Sequence, residues 1–386
     1  MGTAFFALPE HRSIRLPIGL DGLSCAAFLP DSTLCRIILG TSGGRIRSYD
    51  FSGHKTDCVY QRRWHKSVRC LDFLPCTHTL VTASSESGLK VHDIDTGKRV
   101  WMCLRAHDRT AICSLLTTSS TQWVTGDEDG IVKIWDIRIP GAAVQTILPL
   151  SEEDVDDNFG AVNDMAFGDR RNVLLAALDN GSLAVLNIRK TRVEVMSDTL
   201  GYSARSVVVL KNSRNAVVGT EEGFLCVFNW DEFEIVADRF ALFPSNTTKD
   251  GTSVEKIVKL SEDAVAVATD DGKISVATVR PNGLLGVIGH HSDTERSGGD
   301  CLNLAFSREH CLLASVCPDS SIARLWPMGQ WMDKVNNDLA KNAKKKRSGR
   351  SNETIERVEY LSGLLPETCN QITSDNEDGD SDGSSD

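Results

Sequence analysis

The stretch Thr125-Gly-Asp-Glu-Asp-Gly-Ile-Val-Lys-Ile-Trp135-Asp136 decides the fold, together with His107 upstream of it. An alternating run before the acidic Gly turn (Trp123-Val-Thr-Gly126) and another after it predict a tight antiparallel hairpin. The same pattern recurs on both sides. Upstream are Gly44-Arg-Ile-Arg-Ser-Tyr49 and Ser87-Gly-Leu-Lys-Val-His92. Downstream are Gly181-Ser-Leu-Ala-Val-Leu186, Gly223-Phe-Leu-Cys-Val-Phe228, Gly272-Lys-Ile-Ser-Val-Ala277 and Ser321-Ile-Ala-Arg-Leu-Trp326. Seven copies are therefore present, with intervals of 43, 43, 51, 42, 49 and 49 residues between the last-named positions.

A period just above 40 in short alternating strands resembles that of WD-repeat proteins, whose four-stranded blades ring a central channel. The reading is all-β: a seven-bladed WD-repeat β-propeller over residues 1–330 with a mostly disordered C-terminal tail. Ring closure calls for a strand from one terminus to complete a blade begun by the other. The alternating segment at about 14–18 is expected to do this, because no good fourth strand follows Trp326. Residues 331–350 read as a basic linker, and 351–386 as a short helix over 352–365 followed by an acidic, disordered end.

The third repeat alone matches the family signature in full. The resemblance places His107, Thr125, Asp129 and Trp135 in a hydrogen-bonded tetrad, with Asp129 holding the turn. Elsewhere His92, Leu186 and Ala277 replace the Trp, and Glu86, Asn180 and Glu222 replace the turn Asp.

Composition narrows the function classes. With 41% hydrophobic residues in a chain of 386, whole-chain disorder and collagen-like structure are excluded. No apolar run is long enough to span a bilayer, and residues 1–10 lack the pattern of a secretory leader, so no membrane role and an intracellular location are expected. The twelve cysteines are spread without a CxxC pair and read as small buried hydrophobes. The net charge of −11 is uneven: seven acids and no Lys or Arg lie in 367–386, leaving −4 for the rest.

Three long intervals carry insertions, at 151–159, 245–253 and 290–299, each between the outer strand of one blade and the inner strand of the next. Concentrated on one end of the disc, they suggest a binding face. Glu152, Glu153, Asp154, Asp156 and Asp157 would give it an acidic rim suited to a basic protein. Without charged partners the same residues would be a solvated loop.

Catalytic motifs are missing: no GxSxG, GxxxxGK[ST] or HExxH occurs, and the paired His290-His291, without a third spaced ligand, reads as a solvated loop or the loop histidine of a repeat. No enzyme, metal or other cofactor is expected. Lys341, Lys344, Lys345, Lys346, Arg347 and Arg350 form a basic run suited to nuclear or nucleolar targeting. Direct RNA contact has weak support, because no stacking aromatics are interleaved with these cations.

Phe224-Leu-Cys-Val-Phe-Asn-Trp230 followed by Asp238-Arg-Phe-Ala-Leu242, and Trp135-Asp-Ile-Arg138 with its Thr125-Gly-Asp127 step, resemble the WD repeat-containing protein 55 family. The resemblance implies a non-enzymatic scaffold in the nucleus and nucleolus, with some presence in the cytoplasm, needed for ribosomal RNA production and processing. Its implied partners are ribosome-assembly factors or basic ribosomal proteins, engaged by a monomeric subunit of larger complexes. The alternative rests on Trp135, Asp136 and Arg138, which match the WDxR pattern of cullin-4-type ubiquitin-ligase substrate receptors and would bind the ligase adaptor.

Overall fold

In a computed structural model the described residues are 11–17, 22–31, 33–52, 56–147, 160–168, 173–243, 252–291, 303–318 and 320–341. They form seven four-stranded antiparallel sheets. Six of these are built from four consecutive strands. The third blade, for example, runs Ile112–Thr117, Gln122–Asp127, Val132–Asp136 and Gln145–Ile147 from the channel outward.

The seventh blade is completed by the N-terminal strand Arg12–Arg15, which pairs with Ile322–Pro327 and sets Ile14 opposite Ala323. The ladder lies at 12–15 and not at 14–18. The Leu16 N–H makes the last bond, 2.8 Å to the Ser321 carbonyl, and Pro17 has no N–H with which to continue. Ile14 and Leu16 are buried against Leu23, Ile37 and Leu325, so closure hides apolar surface as well as an edge.

The strand period of two determines where the core sits. Each blade presents apolar residues on both faces, and these meet the neighbouring blades. Between the second and third blades, Val81, Leu89 and Trp101 pack with Trp123 and Trp135. Between the fifth and sixth, Leu225 and Val227 meet Ile257, Val267 and Ala277. Burial of each such side chain is worth about 1.5–3 kcal/mol, which explains how blades without the signature Trp persist.

The hairpin turns need a residue with positive φ. Gly44 (φ +80) and Gly223 (φ +79) supply it, and a Cβ there would meet the His65 carbonyl at 2.0 Å and the Thr252 carbonyl at 2.5 Å. In the second blade Ser87 adopts φ 59 at the same step.

Two compact units divide the chain at residue 335. The segment read as a linker from 331 instead begins as helix, over 329–341. Trp331 and Val335, one turn apart, are both buried, and Trp331 lies over Gly286, where a Cβ would come within 3.0 Å of the indole. The described part of the second unit, 336–341, is helical and ends at Lys341.

Candidate protein-interaction surface

The channel mouth is built by a repeated irregularity. Inner strands shift register after their first residue, between Leu23 and Cys25, Ile112 and Ser114, Val162 and Asp164, Ala204 and Ser206, and Val254 and Lys256. The bulged residues Ser24, Cys113, Asn163, Arg205 and Glu255, with Arg69 just ahead of its strand, line a cavity of about 880 Å³. The insertions read at 151–159, 245–253 and 290–299 lie almost wholly outside the described residues.

Polar side chains tie the inner strands together around the channel. The Ser24 hydroxyl donates to the Val68 carbonyl at 2.6 Å, and that of Ser114 to the Val162 carbonyl at 2.8 Å. Asp164 accepts from Ser206 and, at 2.8 Å, from Lys256, linking the fourth, fifth and sixth blades. Arg69 reaches Glu128 at 3.1 Å, and Arg205 reaches Glu221 at 3.3 Å. The lining therefore mixes charges of both signs, as a surface for polypeptide does, instead of forming the uniform cationic track that phosphates need.

Chemistry is poorly provided for. Burial pushes the Cys70 thiol up to about 12 and that of Cys113 up to about 11, so neither is a ready thiolate. Burial also raises the Asp72 carboxyl, against hydrogen bonds from Thr117. Among the described residues no group of three His, Cys, Asp or Glu side chains could hold a metal ion.

The tetrad differs from the sequence expectation in one member. His107, Thr125 and Trp135 come together, but the carboxylate is that of Asp127 and not Asp129. The Trp135 indole N–H donates to Thr125 Oγ1 at 2.8 Å, His107 Nε2 lies 2.6 Å from the same oxygen, and His107 Nδ1 lies 2.7 Å from Asp127 Oδ2. A neutral His107 satisfies every group: the Thr125 hydroxyl donates to Nε2, and Nδ1–H donates to Asp127. Asp127 ends its strand, fully buried, and its other oxygen accepts from the Asp129 and Ile131 backbone N–H groups. Asp129 is at the exposed turn tip, where its carboxylate accepts from the Thr110 hydroxyl at 2.8 Å.

Two further blades keep parts of this network. In the seventh, His291 is buried and its Nδ1 lies 2.8 Å from Ser315 Oγ, which also accepts from the Trp326 indole at 2.9 Å. In the second, His65 Nε2 contacts Thr82 Oγ1 at 2.9 Å, while Trp64 stacks on His92 with centroids 3.6 Å apart.

At the opposite end of the disc, Arg138 follows the third blade's strand Val132–Asp136. Its Nε and a terminal nitrogen donate to the two oxygens of Asp136, at 2.8 and 2.6 Å, and its backbone N–H donates at 2.9 Å. Arg138 holds the Asp136 carboxyl well below the usual range, and its own side chain stays 70% exposed. Glu152, Glu153, Asp154, Asp156 and Asp157 lie outside the described residues, as do Lys344, Lys345, Lys346, Arg347 and Arg350 and the helix expected over 352–365.

Comparison with known proteins agrees with this architecture. The family described as WD domain, G-beta repeat matches residues 51–93 and 98–136. WD repeat-containing protein 55 of Bos taurus is 29% identical over 301 residues, covering 78% of this chain and 73% of the relative. Its counterpart in Arabidopsis thaliana is 28% identical over 336 residues, covering 87% and 84%. Among solved structures, the β-propeller domain of Cps50 (Swd1) from Myceliophteria thermophila superposes with a TM-score of 0.67 at 14% identity, over 82% of this chain and 99% of that one. No enzyme family is indicated by these matches, and such propellers are typically non-catalytic scaffolds for protein interactions. The chain is therefore a seven-bladed β-propeller that carries WD-type repeats and whose curated homologues are named WD repeat-containing protein 55.

Proposed function

We propose that this propeller is a nuclear and nucleolar scaffold that holds ribosome-assembly proteins together during ribosomal RNA production and processing. The homology to WD repeat-containing protein 55 along most of the chain carries this reading. The mixed-charge channel mouth suits it, because basic assembly factors can meet Glu255 there while acidic ones meet Arg69 and Arg205. The run from Lys341 to Arg350 supplies the address. Purification of the tagged chain from nuclei should recover ribosome-assembly proteins, and depletion should cause pre-ribosomal RNA intermediates to accumulate. Unchanged intermediates with no such proteins recovered would sink the proposal.

A second reading, a substrate receptor for a cullin-4-type ligase, is favoured by the exposure and fixed pose of Arg138 beside Asp136. Arg138→Ala should then abolish adaptor capture in a pull-down while leaving the fold intact. Capture equal to that of the wild type, or none by either protein, removes the reading.

A further inference from the structure

The outer strands of the first and second blades differ from the rest of the rim. Asp57–Arg63 and Arg99–Cys103 are neighbouring sheet edges, and each carries a bulge at an equivalent place. The bulged residues are Val59 and Val100, exposed at 50% and 53%. Met102 and Leu104 extend the apolar surface, with Leu104 61% exposed.

Around these residues are cations without acidic partners. Arg62, Arg63, Lys98, Arg99 and Arg105 are exposed and form no ion pair among the described residues. Arg62 lies against the Gly97 turn of the second blade and over the Tyr60 ring, so the two edges form one surface. Arg63 stands directly opposite Arg45 across the first blade's sheet, so two cations share this end of the edge. Of the acids nearby, Asp93 accepts from the Asp95 and Thr96 backbone and Asp95 holds His78 at 2.6 Å, while the exposed Asp57 starts the first edge at the end away from Arg62 and Arg63. The charges of Lys90, Arg99 and Arg62 add to burial in pushing His92 down to about 4.

Other outer edges resolve the same position differently. In the fourth blade the bulged residue is Glu194, which pairs with Lys190 at 2.9 Å. In the sixth the bulged residue is Leu285, which is partly buried, and Trp331 covers the adjacent Gly286.

We infer that the paired outer edges of the first and second blades dock an acidic protein segment bearing apolar side chains. Its carboxylates would meet Arg62, Arg63 and Arg99, and its apolar residues would cover Val59, Val100 and Met102. The bulges interrupt the ladder, so recognition is by side chains and not by addition of a strand. Nucleic acid fits less well. Trp64, His92 and Trp101 are buried, and Trp64 stacks on His92, which leaves these rings unable to stack on bases. Four exposed apolar side chains would also gain nothing from a phosphate backbone.

The test is selection of random 16-residue displayed peptides against the full chain. Selected peptides should carry an excess of Asp and Glu with at least one bulky apolar residue. Their Kd should weaken at least about tenfold for Arg62→Glu/Arg99→Glu, and about fivefold for Val59→Ser/Val100→Ser. Lys190→Glu on the fourth blade should have no effect, and all variants should melt as the wild type does. The inference fails if no peptide is selected, if the selected peptides lack acidic excess, or if either double variant binds them normally. It also fails if a 16-nucleotide uridine-rich RNA displaces the peptides and loses binding in the charge-reversed variant. None of these results depends on nuclear co-purification, so this surface and the ribosomal reading stand or fall separately.

Discussion

The third and sixth blades reach the same sheet by different chemistry. In the third, Trp135, Thr125, His107 and Asp127 form a buried polar chain. In the sixth, Ala277 stands opposite Val265 and Val267 opposite Ser275, and these apolar residues are fully buried. Val267 occupies the place of Thr125, and Ala277 that of Trp135. The sixth blade closes its interior with small aliphatic side chains meeting Leu225, Val227 and Ile257 of its neighbourhood. Blade geometry thus requires filled space between sheets, and the polar chain is one means of filling it. The two solutions differ in fragility: an apolar interior tolerates substitution of similar volume, whereas a polar chain exposes each member's partners when one is lost.

The largest effect should follow Trp135→Ala. It removes an indole packed edge-on against Trp101 and takes one donor from Thr125 Oγ1, which keeps His107, and a loss of about 3–5 kcal/mol is expected. Denaturant unfolding would measure it. A loss below about 1 kcal/mol would show that the third blade, like the sixth, rests on general packing. Thr125→Val comes next, because it copies the sixth blade's residue into the third. The Trp135 and His107 nitrogens would lose their partner in a dry interior, at about 2–4 kcal/mol. Asp127→Ala against Asp129→Ala then tests which carboxylate belongs to the chain. About 2–3 kcal/mol is expected for the buried Asp127, and less than about 1 kcal/mol for the turn-tip Asp129.

The blade count was legible because the Gly turn and its alternating strand recur even where the signature residues have gone. Gly223 and Gly272 keep the left-handed step beside Phe228 and Ala277. Asp127 was missed because two acids flank Glu128 in one turn, and only burial separates the strand-ending residue from the tip. For His291 the sequence left a solvated loop and a repeat's loop histidine both open, and only its contact with Ser315, which also accepts from Trp326, decides for the second. The channel mouth was also missed. Its residues vary in type from Ser24 to Glu255, and their common feature is a register shift, visible only in the ladder. The helix after Trp326 was obscured by its many polar residues, although Trp331 and Val335 are spaced to bury one face.

The smallest expected effect sharpens the contrast by moving it to the blade junctions, where polar contacts face water. His78 of the second blade bridges Asp95 at 2.6 Å and Asp31 of the first blade at 3.2 Å. These carboxylates, Asp95 foremost, raise the His78 pKa above its ordinary 6.5. The folded chain therefore binds this proton more tightly than the unfolded chain does. The stabilisation is fully present below about pH 6.5 and is lost as the pH rises through the folded-state value. Because the site is partly solvated, its worth is at most about 1 kcal/mol and should shrink further in high salt. Melting curves from pH 5.5 to 8.5 should show a small downward step for the wild type that His78→Gln lacks. An equal step in both would assign the pH dependence to another group, and a step of several kcal/mol would mean that the junctions, not the blade interiors, hold the costlier polar contacts.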